Sequence, residues 1–222
     1  MHIEPGIVDA TKIGLSYATA TGAAAYAAKL SWDTVKRDGV PALVGRAALA
    51  TVAVFVFFEL LPKFSVGVSE VHFILGSSLF LILGAGPAAI GLALGLLLQG
   101  MLLAPTDLPQ YAMNVTTLLV PLFALQAIAN RIIAPGTAYV DLSYAQVLKL
   151  SASFQAGTVA WVAFWAIYGQ GLGADNLSSV MAFGAAYMLV VLIEPLIDLG
   201  LLAGAKAVRD NKLFTPRLHN AA

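Results

Sequence analysis

Cysteine is absent from the chain. That removes disulfides, thiolate metal ligands, iron–sulfur clusters and cysteine nucleophiles together. Any metal bound here must be held by nitrogen and oxygen. Charge is scarce as well: 12 basic and 12 acidic residues make up 11% of 222, where a typical soluble domain carries about 25%. The formal net charge is zero, which leaves no basic surface for nucleic acid and no acidic surface for a basic partner. There is no Gly-rich phosphate loop with its Lys, so the chain is not expected to hydrolyse ATP. No nucleophile–base pair stands out, and an enzyme is not expected. Histidine occurs only at His2, His72 and His219.

Apolar residues are what the chain has in quantity. They account for 59%, and the mean hydropathy is +0.85. Neither a soluble globular domain nor a disordered chain fits these values. They predict an all-α, polytopic membrane protein in a lipid bilayer, built as one membrane domain over residues 1–222.

Gly, Pro and charge punctuation divide it into seven apolar stretches: Ile7 to Leu30, Leu43 to Leu61, His72 to Leu83, Pro87 to Leu103, Asn114 to Ile133, Ala145 to Tyr168, and Leu177 to Ala205. The third is too short for a full span and breaks at Gly84-Ala85-Gly86-Pro87. It reads as a tilted or half-buried helix that turns tightly into the fourth. The start lacks the basic region and small-residue cleavage site of a signal peptide, so Met1 is expected to be the mature N-terminus. Residues 1–6 form a short segment before the first span, and residues 206–222 form a tail.

Lys and Arg positions set the orientation, because cytoplasmic ends of spans are enriched in them. Seven spans from an external N-terminus put Lys29, Lys36, Arg37, Arg46, Arg131, Lys149, Lys206, Arg209, Lys212 and Arg217 on the cytoplasmic side. Only Lys12 and Lys63 fall on the other. The expectation is N-terminus outside and C-terminus cytoplasmic, in the cell's inner (plasma) membrane. His2 and His72 then share the outer face, and His219 reads as a solvated residue of the cytoplasmic tail.

A histidine at position 2 has chemistry that an internal one lacks. The Met1 amine, the His2 amide nitrogen and the His2 imidazole Nδ1 can close on one metal as a five-membered and then a six-membered ring. Three such nitrogens lie near a plane, and one further imidazole completes a square. That geometry suits Ni(II) or Cu(II), with Co(II) admitted if it relaxes. Zinc prefers a tetrahedral site with softer or acidic donors. His72 is the other histidine on the same face and is the natural fourth donor.

Met1-His2-Ile3 with Gly6, then Ser69-Glu70-Val71-His72 leading into Gly76 and Leu83-Gly84, resembles the CbiM/NikM family. These are the substrate-capturing membrane components of cobalt and nickel energy-coupling-factor transporters. The resemblance continues through Leu96 to Gln99, the Tyr111-Ala112-Met113-Asn114 segment, and Ile193-Glu194 in the last span. It implies that Met1, His2 and His72 bind the metal through the amine, the second-residue amide and the imidazoles. It also implies partners: a transmembrane coupling protein, a pair of cytoplasmic ATPases and often a small accessory membrane subunit. The chain departs from the family pattern in three places. The first is Glu4-Pro5-Gly6, with the acid one residue early. The second is Asn114, which stands alone between Met113 and Val115. The third is the absence of a His before the last helix, where Ala185, Ala186 and Tyr187 stand.

Other polar residues fall within or beside the spans. Glu59 and Glu70 are candidates to orient His72 or tune the site. Asn114 is a candidate pocket residue, with helix capping as its ordinary alternative. Glu194 and Asp198 lie one turn apart on the last span, where an ionised carboxylate costs about 2.5–3.5 kcal/mol at mid-bilayer. They read as an interhelical contact or as part of an ion path. Gly14, Ala18 and Gly22, and likewise Gly91 and Gly95, form small-residue faces suited to close helix approach. Trp161, Trp165 and Tyr168 read as an interfacial belt.

The sequence therefore predicts the capture subunit of a nickel or cobalt importer. Two alternatives use the same residues: a structural or assembly subunit of a membrane complex, and a copper-binding membrane protein with the same chelate.

Overall fold

The structure is a computed structural model and describes residues 3, 4 and 6–208. Seven α-helices run through these residues: α1 (Ile13–Asp38), α2 (Val40–Leu60), α3 (Gly76–Leu83), α4 (Ala85–Leu102), α5 (Tyr111–Ile132), α6 (Tyr144–Gln170) and α7 (Ala174–Ala207). Five are long and apolar enough to cross a membrane: α2, α4, α5 with its 3-10 lead-in from Pro105, α6 and α7. The two short of that mark differ in cause. α1 is rich in Ala, Thr, Ser and Gly and carries five charged residues in its last ten positions. α3 has 8 residues, about 12 Å of helix at about 1.5 Å per residue, against a hydrocarbon core of about 30 Å.

The all-α expectation misses a β-hairpin. After α2 the chain forms β1 (Lys63–Val66) and β2 (Ser69–His72), antiparallel, with Lys63 opposite His72 and Val66 opposite Ser69. A two-residue turn with glycine first, Gly67-Val68, joins them, and Gly67 has φ +60°. This is the turn position that favours glycine in a tight hairpin. Its place is also sterically closed, because a Cβ on Gly67 would run into the Ser179 carbonyl on α7. The N-terminal segment adds a further rung: Ile3 bridges Ser69 in antiparallel sense, and Glu4 N donates to the Val68 carbonyl at 3.3 Å.

His72 thus closes a strand, and the helix expected to begin there starts at Gly76. The reason lies in Phe73, Ile74 and Leu75, which form a short irregular link. Leu75 adopts a left-handed conformation at φ +53°, which a helix cannot continue through. α3 is buried at all positions but one, enclosed by α4, α5, α6 and α7. It turns at Gly84 (φ +94°) directly into α4, as the break in the sequence predicts.

Close approach of α2 and α4 is made by glycine. A Cβ on Gly91 would overlap Ala50, and one on Gly95 would come within 2.6 Å of Val54. This small-residue face is therefore internal packing. On α1 the opposite holds: Gly14, Ala18 and Gly22 are exposed, and the two glycines have open space where a Cβ would be. Where α1 meets α2, Asp38 receives a forked bond from Arg37 (2.9 and 3.1 Å) and a further one from Arg46 at 2.6 Å. These guanidiniums, Arg37 foremost, hold the Asp38 carboxyl down at about 2 against the opposing effect of partial burial.

The aromatic cluster on α6 corrects an expectation. Trp165 is fully buried, and Trp161 donates to Thr116 Oγ1 at 3.1 Å. Trp165 is therefore core and not part of a lipid-facing belt, and Trp161 ties α6 to α5.

Candidate metal centre

His72 is 2% exposed. Its ring meets Phe58 of α2 edge-to-face, with centroids 4.6 Å apart and planes at 76°. Nδ1 lies 3.2 Å from the Phe73 carbonyl oxygen. A carbonyl only accepts, so Nδ1 carries the proton. In the neutral form of that tautomer the lone pair is on Nε2, the form in which an imidazole ligates a metal. Strand alternation puts Glu70 on the same face of β2 as His72, half-buried where its neighbours are buried.

Asn114 sits in the first turn of α5, 1% exposed. It does not cap that helix. Its Oδ1 accepts from the Ile3 backbone N–H at 2.8 Å, across 111 residues of sequence. The Asn114 Nδ2 and the Gln99 Oε1 of α4 are buried with no hydrogen-bond partner among the described residues. Ile3 is thus tied by its own N–H to α5 and paired with Ser69, three residues before His72. The segment that follows Met1-His2 is delivered to the hairpin that carries His72.

Glu59, the other carboxylate considered for the site, pairs instead with Lys63 one turn on, at 3.3 Å. Both are partly exposed, so the pair is an end-of-helix interaction worth little energetically. Met1, His2 and His219 lie outside the described residues. Among the described residues, no group of three or more His, Asp or Glu side chains gathers as a metal site.

Behind His72, α7 supplies two buried carboxylates. Glu194 Oε1 accepts from the backbone N–H groups of Ile74 and, at 3.1 Å, Leu75. Its Oε2 accepts from Gln155 Nε2 of α6, and the Gln155 Oε1 accepts from Tyr187 Oη at 2.6 Å. One turn further, Asp198 accepts from the hydroxyls of Ser77 and Ser78 at the start of α3. These bonds from α7 satisfy the Ile74 and Leu75 N–H groups of the link and the first two hydroxyls of a buried helix that has no side-chain cap of its own. Phe58, Gln155 and Tyr187 are the participants that the sequence does not advertise, since an aromatic or a single amide on an apolar helix looks like ordinary core.

A cavity of about 500 Å³ lies at the other ends of these helices. Asp33 and Arg37 of α1, the Gly84–Gly86 turn, Asn130 of α5 and Tyr139 border it. Burial and the nearby Asp198 carboxylate push the Tyr139 phenol up. This cavity is separate from His72.

Comparison with known proteins places the chain. No curated protein matches it significantly. Two solved structures share its fold: a transition metal transporter, with 18% identity, TM-score 0.72, and coverage of 99% of this chain and 96% of that one; and a truncated transition metal transporter, with 16% identity, TM-score 0.69, and coverage of 94% and 97%. The family model described as the cobalt uptake substrate-specific transmembrane region matches residues 2–211. The chain, with its buried histidine and apolar helices, belongs to that membrane family, CbiM.

Proposed function

We propose that this protein is the substrate-specific membrane component of a nickel or cobalt importer. The ion is held by the Met1 amine, the His2 amide nitrogen and imidazole, and His72 Nε2, with the N-terminus on the outer side. The observation that carries the reading is the placement of Ile3. Its hydrogen bond to Asn114 and its bridge to Ser69 tether the residue after His2 to the strand that ends at His72. The His72 tautomer set by the Phe73 carbonyl supplies the missing lone pair. Family membership and the two transporter folds support metal transport as the activity, and four nitrogens in a square favour Ni(II) or Co(II) over zinc. Copper fits the same donors and is separated by measurement.

Capture alone does not move an ion. Release requires a second state of lower affinity, and withdrawing the Met1-His2 strand from His72 creates one while the freed nitrogens take up protons. The energy comes from partners: a transmembrane coupling protein and a cytoplasmic ATPase pair, with a small accessory membrane subunit in some assemblies. The exposed Gly14, Ala18 and Gly22 stripe on α1 offers the coupling protein a surface for close helix approach.

The test compares metal content and uptake for the parent, His2→Ala, His72→Ala and a variant with one residue added before Met1. The added residue displaces the amine while leaving both imidazoles. All three variants should lose Ni(II) and Co(II) binding. Parent-like binding by the extended variant overturns the chelate, and copper retained above nickel and cobalt assigns the other cargo.

A further inference from the structure

His72, the Phe73–Ile74 peptide and Glu194 form a chain of contacts that the metal donors alone do not explain. A peptide group is planar, so the Phe73 carbonyl and the Ile74 N–H are two ends of one rigid plate. One end accepts from His72 Nδ1. The other donates to Glu194 Oε1 on α7, 120 residues away. The same carboxylate oxygen also takes the N–H of Leu75, the one non-glycine residue at positive φ among those described. Strained backbone of this kind persists where its surroundings over-determine it. Here the second carboxylate oxygen is itself fixed by Gln155, and Gln155 by Tyr187. Glu194, Gln155 and Tyr187 are each fully buried, so bulk solvent does not compete for these bonds.

We propose that Glu194 is a positioning residue of the metal site, acting on His72 through the Phe73–Ile74 peptide. The proposal rests on the reading of His72 as a metal donor. Two physical effects follow from the arrangement. Holding the peptide plane keeps the Phe73 carbonyl where His72 Nδ1–H must point, which fixes both tautomer and ring direction. A carboxylate on the amide end also polarises the peptide, strengthens the carbonyl as an acceptor, and makes Nε2 a better donor to metal. In many metal sites a carboxylate touches the ligating histidine directly; here one peptide stands between them. Asp198 has no such route, because its partners are the Ser77 and Ser78 hydroxyls on α3.

The experiment is a double-mutant cycle on the purified protein with its native N-terminus, using Ni(II) and, as a spectroscopic probe, Cu(II). Glu194→Ala should weaken Ni(II) binding about ten- to a hundredfold and shift the Cu(II) ligand-field spectrum. In a His72→Ala background, read with Cu(II) on the three Met1–His2 nitrogens that remain, the same change should have no further effect, because the residue through which Glu194 acts is gone. Nitrogen NMR shifts of the metal-free protein should report a single His72 tautomer in the parent and a mixture in Glu194→Ala. Glu194→Gln keeps an acceptor for Ile74 and should retain the tautomer while losing part of the affinity. It stands in, together with Tyr187→Phe, if the alanine variant does not fold. Equal loss in both backgrounds, or parent-like affinity and tautomer in the Glu194 variants, overturns the proposal. Equal binding by the parent and His72→Ala is a different failure, since it removes His72 as a donor and takes the proposed function with it.

Discussion

At the level of single residues, Asn114 is where the proposed capture site and the fold depend on one bond. Its Oδ1 is the acceptor for the Ile3 N–H, and both residues are about 1% exposed. Asn114→Ala leaves that N–H buried without a partner, which costs about 1–3 kcal/mol. It also unties the segment that precedes the hairpin rung. The expected outcome is a lower thermal midpoint together with faster release of bound Ni(II), followed by chelator competition. Asn114→Asp keeps an acceptor oxygen and should stay close to the parent in release rate; equal release from all three proteins would show that the tether does not retain the ion. His72 and Asn114 were legible in the sequence because a polar residue in so apolar a chain needs a reason to be there. Glu59 was equally conspicuous, yet Lys63 four residues on supplies its reason without any metal. Phe58, Gln155 and Tyr187 were not legible. Their roles come from contacts across 14 to 39 positions of chain, which no local pattern encodes.

At the level of helices and strands, the same residue type has opposite meanings on two helices. Gly91 lies against Ala50, so a methyl group there must push α4 off α2. Gly91→Ala should destabilise the protein by about 1–3 kcal/mol, the usual range for overpacking a tight contact. Gly22 on α1 faces open space, and Gly22→Ala should leave the isolated protein as stable as the parent or raise it by about 0.5–1 kcal/mol through helix propensity. Thermal unfolding in detergent separates the two. Gly22→Leu, by contrast, should reduce co-purification with the coupling protein while leaving metal content unchanged, if the α1 stripe is the docking face. Loss of stability in Gly22→Ala would mean that this face of α1, and not only the one against α4 and α5, packs within the chain. The helices themselves were readable from apolar length, to within several residues at their ends. The hairpin was not, because ten residues between two long apolar stretches give too little alternation to separate a strand from a connecting loop. Its only local mark is Gly67 between two valines, and what fixes it is the distant backbone of Ser179.

For the whole molecule, the decisive quantity is direction. The hairpin and His72 occupy one end of the helices, and the cavity bordered by Asp33, Arg37 and Asn130 occupies the other. Between them, α3 is too short to cross and is held in place by Glu194 and Asp198. An importer needs its capture end outside and its cavity end in the cytoplasm. Ten of the 12 basic residues favour this orientation, because retention of Lys and Arg on the cytoplasmic side governs how spans insert. The absence of cysteine makes the question directly measurable, since any thiol introduced is the sole thiol present. Ser65 on β1 and Ala134 beside the cavity are both exposed, so each tolerates a cysteine without disturbing the core. In intact cells, a membrane-impermeant maleimide should label Ser65→Cys and leave Ala134→Cys unmodified until the membrane is permeabilised. The reverse pattern would place His72 on the cytoplasmic side. The protein would then present its proposed chelating end to the compartment an importer is meant to fill, and the same donors would serve efflux or storage of the ion.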